Sequence, residues 1–503
     1  MVTSAIQIST MAGEADMKWN LLVILVLALL VVSGCTPQPS TTPSPVPTTP
    51  VPTAPTPAPT TTPTLTPASP PDTAPPSPIT GLVAVDAYDG RVNLSWGKST
   101  AEDFSHYNIY VNKAEILDAK GMTPSQKITA ISTNTCQVTG LEAGTKYYFA
   151  VTAADKGGNE NKQVTSVSAA PTPMTRGTVD PDLQVDIYQS DKAWPGTTLF
   201  SDNHILSRPR IIEVNMLGEI VWQYLVPENL RQNIRPQAGM NPGFAVELLP
   251  NNNILFVSPQ KGVYEINRVG DVVWSYETPK ITHDAVRLPN GNTIFVFGGE
   301  DQKDDAHVTE VNPKGEIVWQ WYAKDYFDKP PYNSIYDEGW THTNAVLRLP
   351  NGNTLISLRN FNFVVEVDPK GEVVRTLGEG LLDYQHGPEL LPNGNLLSGS
   401  HRRPPEFAGS ITSYAAVEID LKTGKIVWKF MWPTGLEPDA SDANRLPNGN
   451  TLVLGARIAE VTPRGKIVWQ LRLKEAIETE ILSTKKGSQQ RRFYRVERIS
   501  AQK

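Results

Sequence analysis

EVNPKGEIVW, from Glu310 to Trp319, is one of six copies of a single pattern. The others, EVNMLGEIVW, EINRVGDVVW, EVDPKGEVVR, EIDLKTGKIVW and EVTPRGKIVW, start at Glu213, Glu265, Glu366, Glu418 and Glu460. Each reads as a hairpin, with an alternating strand, a Gly-containing turn and a return through Ile-Val-Trp. Five copies follow a second repeat, LPNNNILFV, LPNGNTIFV, LPNGNTLIS, LPNGNLLSG and LPNGNTLVL, in which the Asn-rich turn leads into another apolar strand. Together the repeats make a four-stranded unit recurring at roughly 40 to 60 residues, the spacing of propeller blades. The expected fold is all-β, with a six-bladed β-propeller over residues 179–503. Only TTLFSDN (Thr197–Asn203) precedes the first hairpin, so RRFYRVERIS (Arg491–Ser500) is expected to return and complete that blade, hiding the sheet edges. Trp222, Trp274, Trp319, Trp428 and Trp469 recur at one position and read as packing between blades, with Arg375 in the fourth copy.

Ahead of the repeats the composition changes three times. Lys18 is followed by LLVILVLALLVV and then Ser33, Gly34 and Cys35, and VVSGC resembles the lipobox of prokaryotic lipoproteins. The apolar run is shorter than the roughly 20 residues of a membrane span, which favours a signal over an anchor helix. Residues 1–35 are therefore expected to be a lipoprotein signal peptide, with 1–16 as an upstream extension and Cys35 as the lipidated residue. The protein is then extracytoplasmic and lipid-anchored to the cell envelope membrane. Residues 36–77, almost wholly Pro, Thr, Ser and Ala, cannot bury a core and read as a stalk.

Residues 78–174 carry short strands around Trp96, Tyr107 and Tyr110, followed by GLEAGTKYYFAVTAAD. These resemble a fibronectin type III β-sandwich, with Trp96 as core aromatic and Leu141, Gly144 and Tyr147 matching the tyrosine corner. Cys35 and Cys136 are the only cysteines, so lipidation of Cys35 leaves no intramolecular disulfide. With 52 acidic and 45 basic residues, nothing favours a nucleic-acid partner.

The Pro of each LPN turn serves as a ruler. Six residues before it stand Phe244, His283, Asn344, His386 and Ser441, at the start of an inner strand, with His342 two residues before Asn344 on the same face of an extended segment. Nine residues after the same Pro stand Gly298, Arg359, His401 and Ala456. Three of the seven histidines thus meet at corresponding points of three consecutive blades, with Arg359 and His401 entering from the neighbouring rung. A lone channel histidine is more often polar lining than catalyst, but three in register beside an Arg read as a functional site. His106 and His307 read as surface residues, and His204 is undecided.

A three-histidine zinc site is conceivable, but Arg359 would repel a dication, and Asp284, beside His283, should point to the opposite face. No metal or cofactor is expected. Guanidinium with imidazole donors suits a tetrahedral oxyanion such as sulfate or phosphate, and no Gly-rich phosphate-binding loop is present.

WTHTNAVLRLPNGNTLISLRN (Trp340–Asn360), with the LPNGNTL and EVxPxGxIVW repeats and the terminal YRVERIS, resembles the bacterial arylsulfate sulfotransferases. Known members carry a different N-terminal β-domain and a disulfide. The resemblance implies transfer of a sulfuryl group from an aryl sulfate to a phenol without a nucleotide donor. It implies that His386, in YQHGPELLPNGN, is the nucleophile carrying the group, that His342 and Arg359 stabilise the sulfuryl oxygens, and that His283 serves the phenolic oxygen as acid and base. Asn344 and His401 would bind substrate. Two other readings compete: a lipid-anchored propeller acting as an interaction scaffold in the envelope, and a quinone dehydrogenase suggested weakly by KTGKIVW (Lys422–Trp428).

Overall fold

Each Glu-Val hairpin closes on a Gly that adopts the left-handed conformation its turn demands. In the third copy Gly315 has φ +83° and donates its N–H to Asn312 O, while Asn312 N–H meets Glu316 O at 2.9 Å. The extra residue produces a bulge between Glu310 and Val311, and the same register shift recurs at Glu213/Val214, Glu265/Ile266, Glu366/Val367, Glu418/Ile419 and Glu460/Val461. The computed structural model describes residues 72–205, 207–231, 245–400, 416–433, 442–455, 457–474 and 493–500. The signal, Cys35, most of the stalk, Phe244, His401, Ser441 and Ala456 lie outside these residues.

The chain is all-β, with six repeated antiparallel sheets following a β-sandwich. In order, the sheets are built around the hairpins at Glu213, Glu265, Glu310, Glu366, Glu418 and Glu460. Strand Phe493–Ser500 pairs with Gly196–Asp202 and supplies the strand the first sheet lacks. Leu183–Tyr188 adds a fifth strand to the outer edge of the sixth sheet. The first strand of each sheet packs on the sheet before it, and Phe493–Ser500 packs on the sixth, so the contacts run in a cycle. Large apolar residues fill the gaps between sheets, as in the cluster of Phe200, Leu452, Trp469 and Phe493.

The two repeats are bound together by one polar device. The hairpin Glu is buried, and its Oε1 accepts from the last Asn of the LPNGN turn: Asn292 to Glu310, Asn353 to Glu366, Asn395 to Glu418 and Asn450 to Glu460, each at 2.7 Å. The other oxygen meets an Arg from the following sheet, as in Arg348–Glu310 and Arg445–Glu418, both 2.6 Å, and Arg287–Glu265, 3.0 Å. Each guanidinium lies over the hairpin Trp, at 5.6 Å for Arg348 on Trp319 and 4.5 Å for Arg287 on Trp274. The tryptophans are therefore junction residues.

Two departures keep the same chemistry. The fifth sheet has Leu390 where others have the Arg, and the fourth answers with Arg375 in place of Trp, paired to its own Glu366 at 2.7 Å. The second sheet has Leu248 there, and Arg268 of its own hairpin reaches Glu213 at 2.5 Å and covers Trp222.

First strands have no ladder partner on their inner side, so their N–H groups need another acceptor. Carboxylates of the preceding sheet provide it: Glu497 for Leu248, Glu247 for Arg287 and Glu389 for Arg445, each 2.9 Å, then Asp284 for Val346 and Asp442 for Val496. Arg495, at φ +45°, answers this charge from the returning strand, 3.2 Å from Asp284 and 3.7 Å from Asp442.

The sandwich packs Trp96 edge-on against Tyr107 at 5.4 Å, and the Tyr147 hydroxyl accepts Glu142 N–H at 3.2 Å, forming the expected tyrosine corner. It adjoins the repeated sheets through Asn93 and Gln137, which both donate to Ser190 O, and through Tyr88, which packs on the Trp469 cluster. Cys136 is half-buried, and burial pushes its thiol up to about 12, a structural rather than reactive cysteine.

Arg348→Ala leaves the Glu310 carboxylate desolvated and is expected to cost about 3 kcal/mol, read from denaturant unfolding. Burial raises Glu247 from the ordinary 4.5 to about 7. A carboxyl raised on folding contributes stability below its unfolded pKa and loses it as pH rises through the folded one. Glu247→Gln should therefore flatten the fall in stability between about pH 4.5 and 7 seen in wild type, measured by thermal melts across that range.

Candidate functional site

In antiparallel neighbours, the start of a first strand lies beside the end of the second, and this juxtaposition gathers the site. His283 precedes strand Ala285–Arg287, His342 precedes Thr343–Arg348, and His386 opens His386–Leu390. Arg359 follows Thr354–Leu358 in a 3-10 turn. All four are buried, at 4% exposure or less.

Three of them form one array. His342 Nε2 lies 3.2 Å from His283 Nε2 and 3.0 Å from Arg359 Nη1, with the imidazole centroids 4.7 Å apart. Guanidinium only donates, so His342 Nε2 accepts and its hydrogen sits on Nδ1, which donates to Glu338 O at 3.1 Å. His283 must then donate from Nε2, leaving Nδ1 to accept from the Thr282 hydroxyl at 2.9 Å. That hydroxyl oxygen is fixed in turn by Gly298 N–H, at 3.0 Å.

His386 joins through Tyr384. Its Nδ1 donates to Tyr384 O at 3.1 Å, which puts the lone pair of the neutral ring on Nε2. The Tyr384 ring lies beneath the Arg359 guanidinium at 4.6 Å, and its hydroxyl donates to the Asp337 carboxylate. Asn344 Nδ2 donates to Gln385 O at 2.8 Å, fixing the residue before His386. Asn344 is therefore placed as a support for the histidine segment.

Two expectations need correction. His342 is not in extended backbone: its φ is +47°, and the register shifts between Thr343 and Ala345. Asp301 makes this conformation tenable, accepting from Thr341 N, Thr341 Oγ1 and His342 N at 3.0, 2.8 and 3.2 Å. His307 is fully buried rather than on the surface. Its Nε2 contacts Asp301 at 3.1 Å and its Nδ1 accepts Ala323 N–H, so it braces the carboxylate that holds His342. His106 is half-buried in the sandwich.

His204 belongs elsewhere, with Nδ1 2.6 Å from Asp202 and Nε2 3.2 Å from Asp182. Burial disfavours its charged form, but the two carboxylates outweigh that and hold its pKa above the ordinary value. Asp284 faces Arg495 and Val346 rather than the histidines, as its place beside His283 implies.

Gly298, at the ruler position occupied by Arg359 in the next sheet, has a clear reason to be glycine. A Cβ there would come within 2.1 Å of Thr343 O, so only glycine lets the His342 segment approach the third sheet. Asp301, Asp337, Glu338, Tyr384 and Thr282 are the members the repeat ruler did not reveal. They lie in connections that no other copy matches, and only the HDAV and WTHTN surroundings hinted at them.

The tautomers are checkable by nitrogen NMR of the histidine rings at neutral pH. His342 and His386 should carry hydrogen on Nδ1, and His283 on Nε2. Thr282→Val should mix the His283 tautomers and leave His386 unchanged, whereas a His386 hydrogen on Nε2 in wild type would contradict the geometry.

Comparison with known proteins agrees with both halves of the chain. Similarities to solved structures are weak: a Bacteroides caccae protein of unknown function (18% identity, 56% of this chain and 95% of that one, TM-score 0.39); Staphylococcus aureus virginiamycin B lyase (10%, 57% and 88%, 0.35); and Moraxella catarrhalis BamB (13%, 79% and 94%, 0.27). An amylopullulanase of Thermoanaerobacter thermohydrosulfuricus is 36% identical over 96 residues, 19% of this chain, which spans only 6% of that enzyme. Residues 195–379 match the arylsulfotransferase (ASST) family, a segment that includes His283, His342, Asn344 and Arg359 and ends ahead of His386. Residues 75–168 match the fibronectin type III domain. The chain thus carries, in order, a segment matching the fibronectin type III domain and one matching the arylsulfotransferase family.

Proposed function

We propose that the six sheets form a closed six-bladed β-propeller whose site transfers a sulfuryl group from an aryl sulfate to a phenol, through a covalent intermediate on His386. The observation that carries this reading is the fused array in which His283 and Arg359 both meet His342, tied through Tyr384 to a histidine whose Nε2 holds the lone pair.

In the first half-reaction, His386 Nε2 attacks sulfur and the bond from sulfur to the aryl oxygen breaks. His283, entering this step with both ring nitrogens protonated, gives one proton to the leaving phenolate and is left as the neutral ring. Arg359 offsets the charge on the sulfuryl oxygens, which are held where charge develops, and His342 joins it by donating from Nε2 when that nitrogen is protonated. In the second, a phenol oxygen attacks the same sulfur, gives its proton to His283, and the nitrogen–sulfur bond breaks. Asn344 and Tyr384 keep the nucleophile aimed, and His401, outside the described residues, stays a candidate for substrate binding. We further propose that Cys35 anchors the protein outside the cytoplasm, the Pro-rich stalk and the sandwich acting as spacers between membrane and site.

The test is turnover of 4-nitrophenyl sulfate by the folded protein with and without a phenol acceptor. Acceptor-dependent release of nitrophenolate is expected. His386→Ala should lose at least about 10⁴-fold in rate, and Arg359→Ala about 10²- to 10³-fold. A folded protein without turnover, unchanged by either substitution, would instead favour a scaffold in the envelope.

A further inference from the structure

Each nitrogen of Arg359 is engaged within the protein. Nε donates to Asn360 Oδ1 at 3.2 Å, and Nη2 to Asp337 O at 3.0 Å with the Asp337 carboxylate 3.7 Å away. Nη1 divides its two hydrogens between His342 Nε2, at 3.0 Å, and Glu338 Oε2, at 3.3 Å. An oxyanion that takes the Nη1 hydrogen facing Glu338 must replace that carboxylate. The other partners named are backbone or buried groups, or carboxylate bound to Tyr384, and cannot withdraw alone.

Glu338 is different. Its backbone is pinned: the carbonyl accepts Glu300 N–H at 2.7 Å and His342 Nδ1 at 3.1 Å. The next residue, Gly339, has φ +128° and lies so close to Asp301 that a Cβ would come within 2.1 Å of its carboxylate. Yet the Glu338 side chain is 41% exposed, and its carboxylate meets Arg359 at 3.3 Å, farther than His342 Nε2 or the Asp337 carbonyl. The base is fixed and the head is free to swing into water.

We propose that Glu338 is a displaceable carboxylate gate on Arg359: it occupies the guanidinium hydrogen that a sulfuryl oxygen takes, and leaves when the donor enters. The inference rests on the sulfuryl-transfer reading for its substrate class. The gate balances the guanidinium while the site is empty and competes with any anion for it. It sets a threshold for entry, since a ligand must present a charged, multi-oxygen group able to outbid a carboxylate.

The test is Glu338→Gln, read in two independent ways. Calorimetric titration with inorganic sulfate should give a Kd about fivefold lower than wild type, the scale set by a half-exposed ion pair. For 4-nitrophenyl sulfate, KM should fall by a similar factor with kcat within about twofold, since Glu338 has already left Arg359 when the transition state forms. A circular dichroism melt confirms the fold. Glu338→Asp, one methylene shorter, gives a second variant that keeps the charge but falls short of the guanidinium; it should also bind sulfate more tightly. Sulfate binding unchanged or weaker in the folded Gln variant would overturn the gate. If sulfate binding tightens while wild type shows no turnover, the gate stands and the transferase reading falls. If turnover is present but sulfate binding does not respond, the reverse holds.

Discussion

A buried carboxylate at the start of each Glu-Val hairpin is the constraint on which the repeated half of this protein depends. Such a group is costly unless both oxygens are satisfied. Here one oxygen takes an Asn from the same sheet and the other an Arg that in most cases belongs to the next. The first bond ties the second repeat to the first, and the second fixes the spacing between neighbouring sheets. Apolar packing between the sheets is non-directional and would tolerate several offsets, whereas the Glu, Arg and Trp stack admits one. The exceptions support this: Leu390 in the fifth sheet coincides with Arg375 in the fourth, so two departures cancel and the carboxylate of Glu366 is still paired.

With the sheets in register, the ends of their strands are in register too, and this is what assembles the site. Equivalent positions in the third and fifth sheets become His283 and His386, and Asn344 occupies the fourth. Five of the six junctions are closed by a carboxylate accepting a backbone N–H. At the junction between the fourth and fifth sheets, Asn344 instead donates to Gln385 O. The structural joint has there been exchanged for one that also steadies His386.

Much of this was legible in the sequence. Alternation and turn residues are local properties, so the hairpins, the six-fold recurrence, the returning strand and the alignment of His283 with His386 all follow from counting along the chain. The core roles of Trp96 and Tyr147 follow likewise from their strand patterns. What counting misses depends on backbone that leaves the pattern. Glu338, His342 and Tyr384 all have positive φ, so alternation gives no guide to where their side chains point. Burial of His307 hinges on Asp301, which lies in a connection without counterpart in other copies. Tyr384 gave no signal because its contribution is a carbonyl and a ring face rather than a reactive group.

The strand Phe493–Ser500 has a consequence for how the protein comes into being. It is the last described element, yet it pairs with the opening strand of the first sheet, and its Arg495 reaches Asp284, the residue next to His283. A chain interrupted between His386 and residue 493 would contain His283, His342, Arg359 and His386 and still lack the element that joins the first sheet to the sixth. Joining of the first sheet to the sixth therefore waits for a strand that follows all four of these residues in the chain, so their surroundings are completed by an element none of them belongs to.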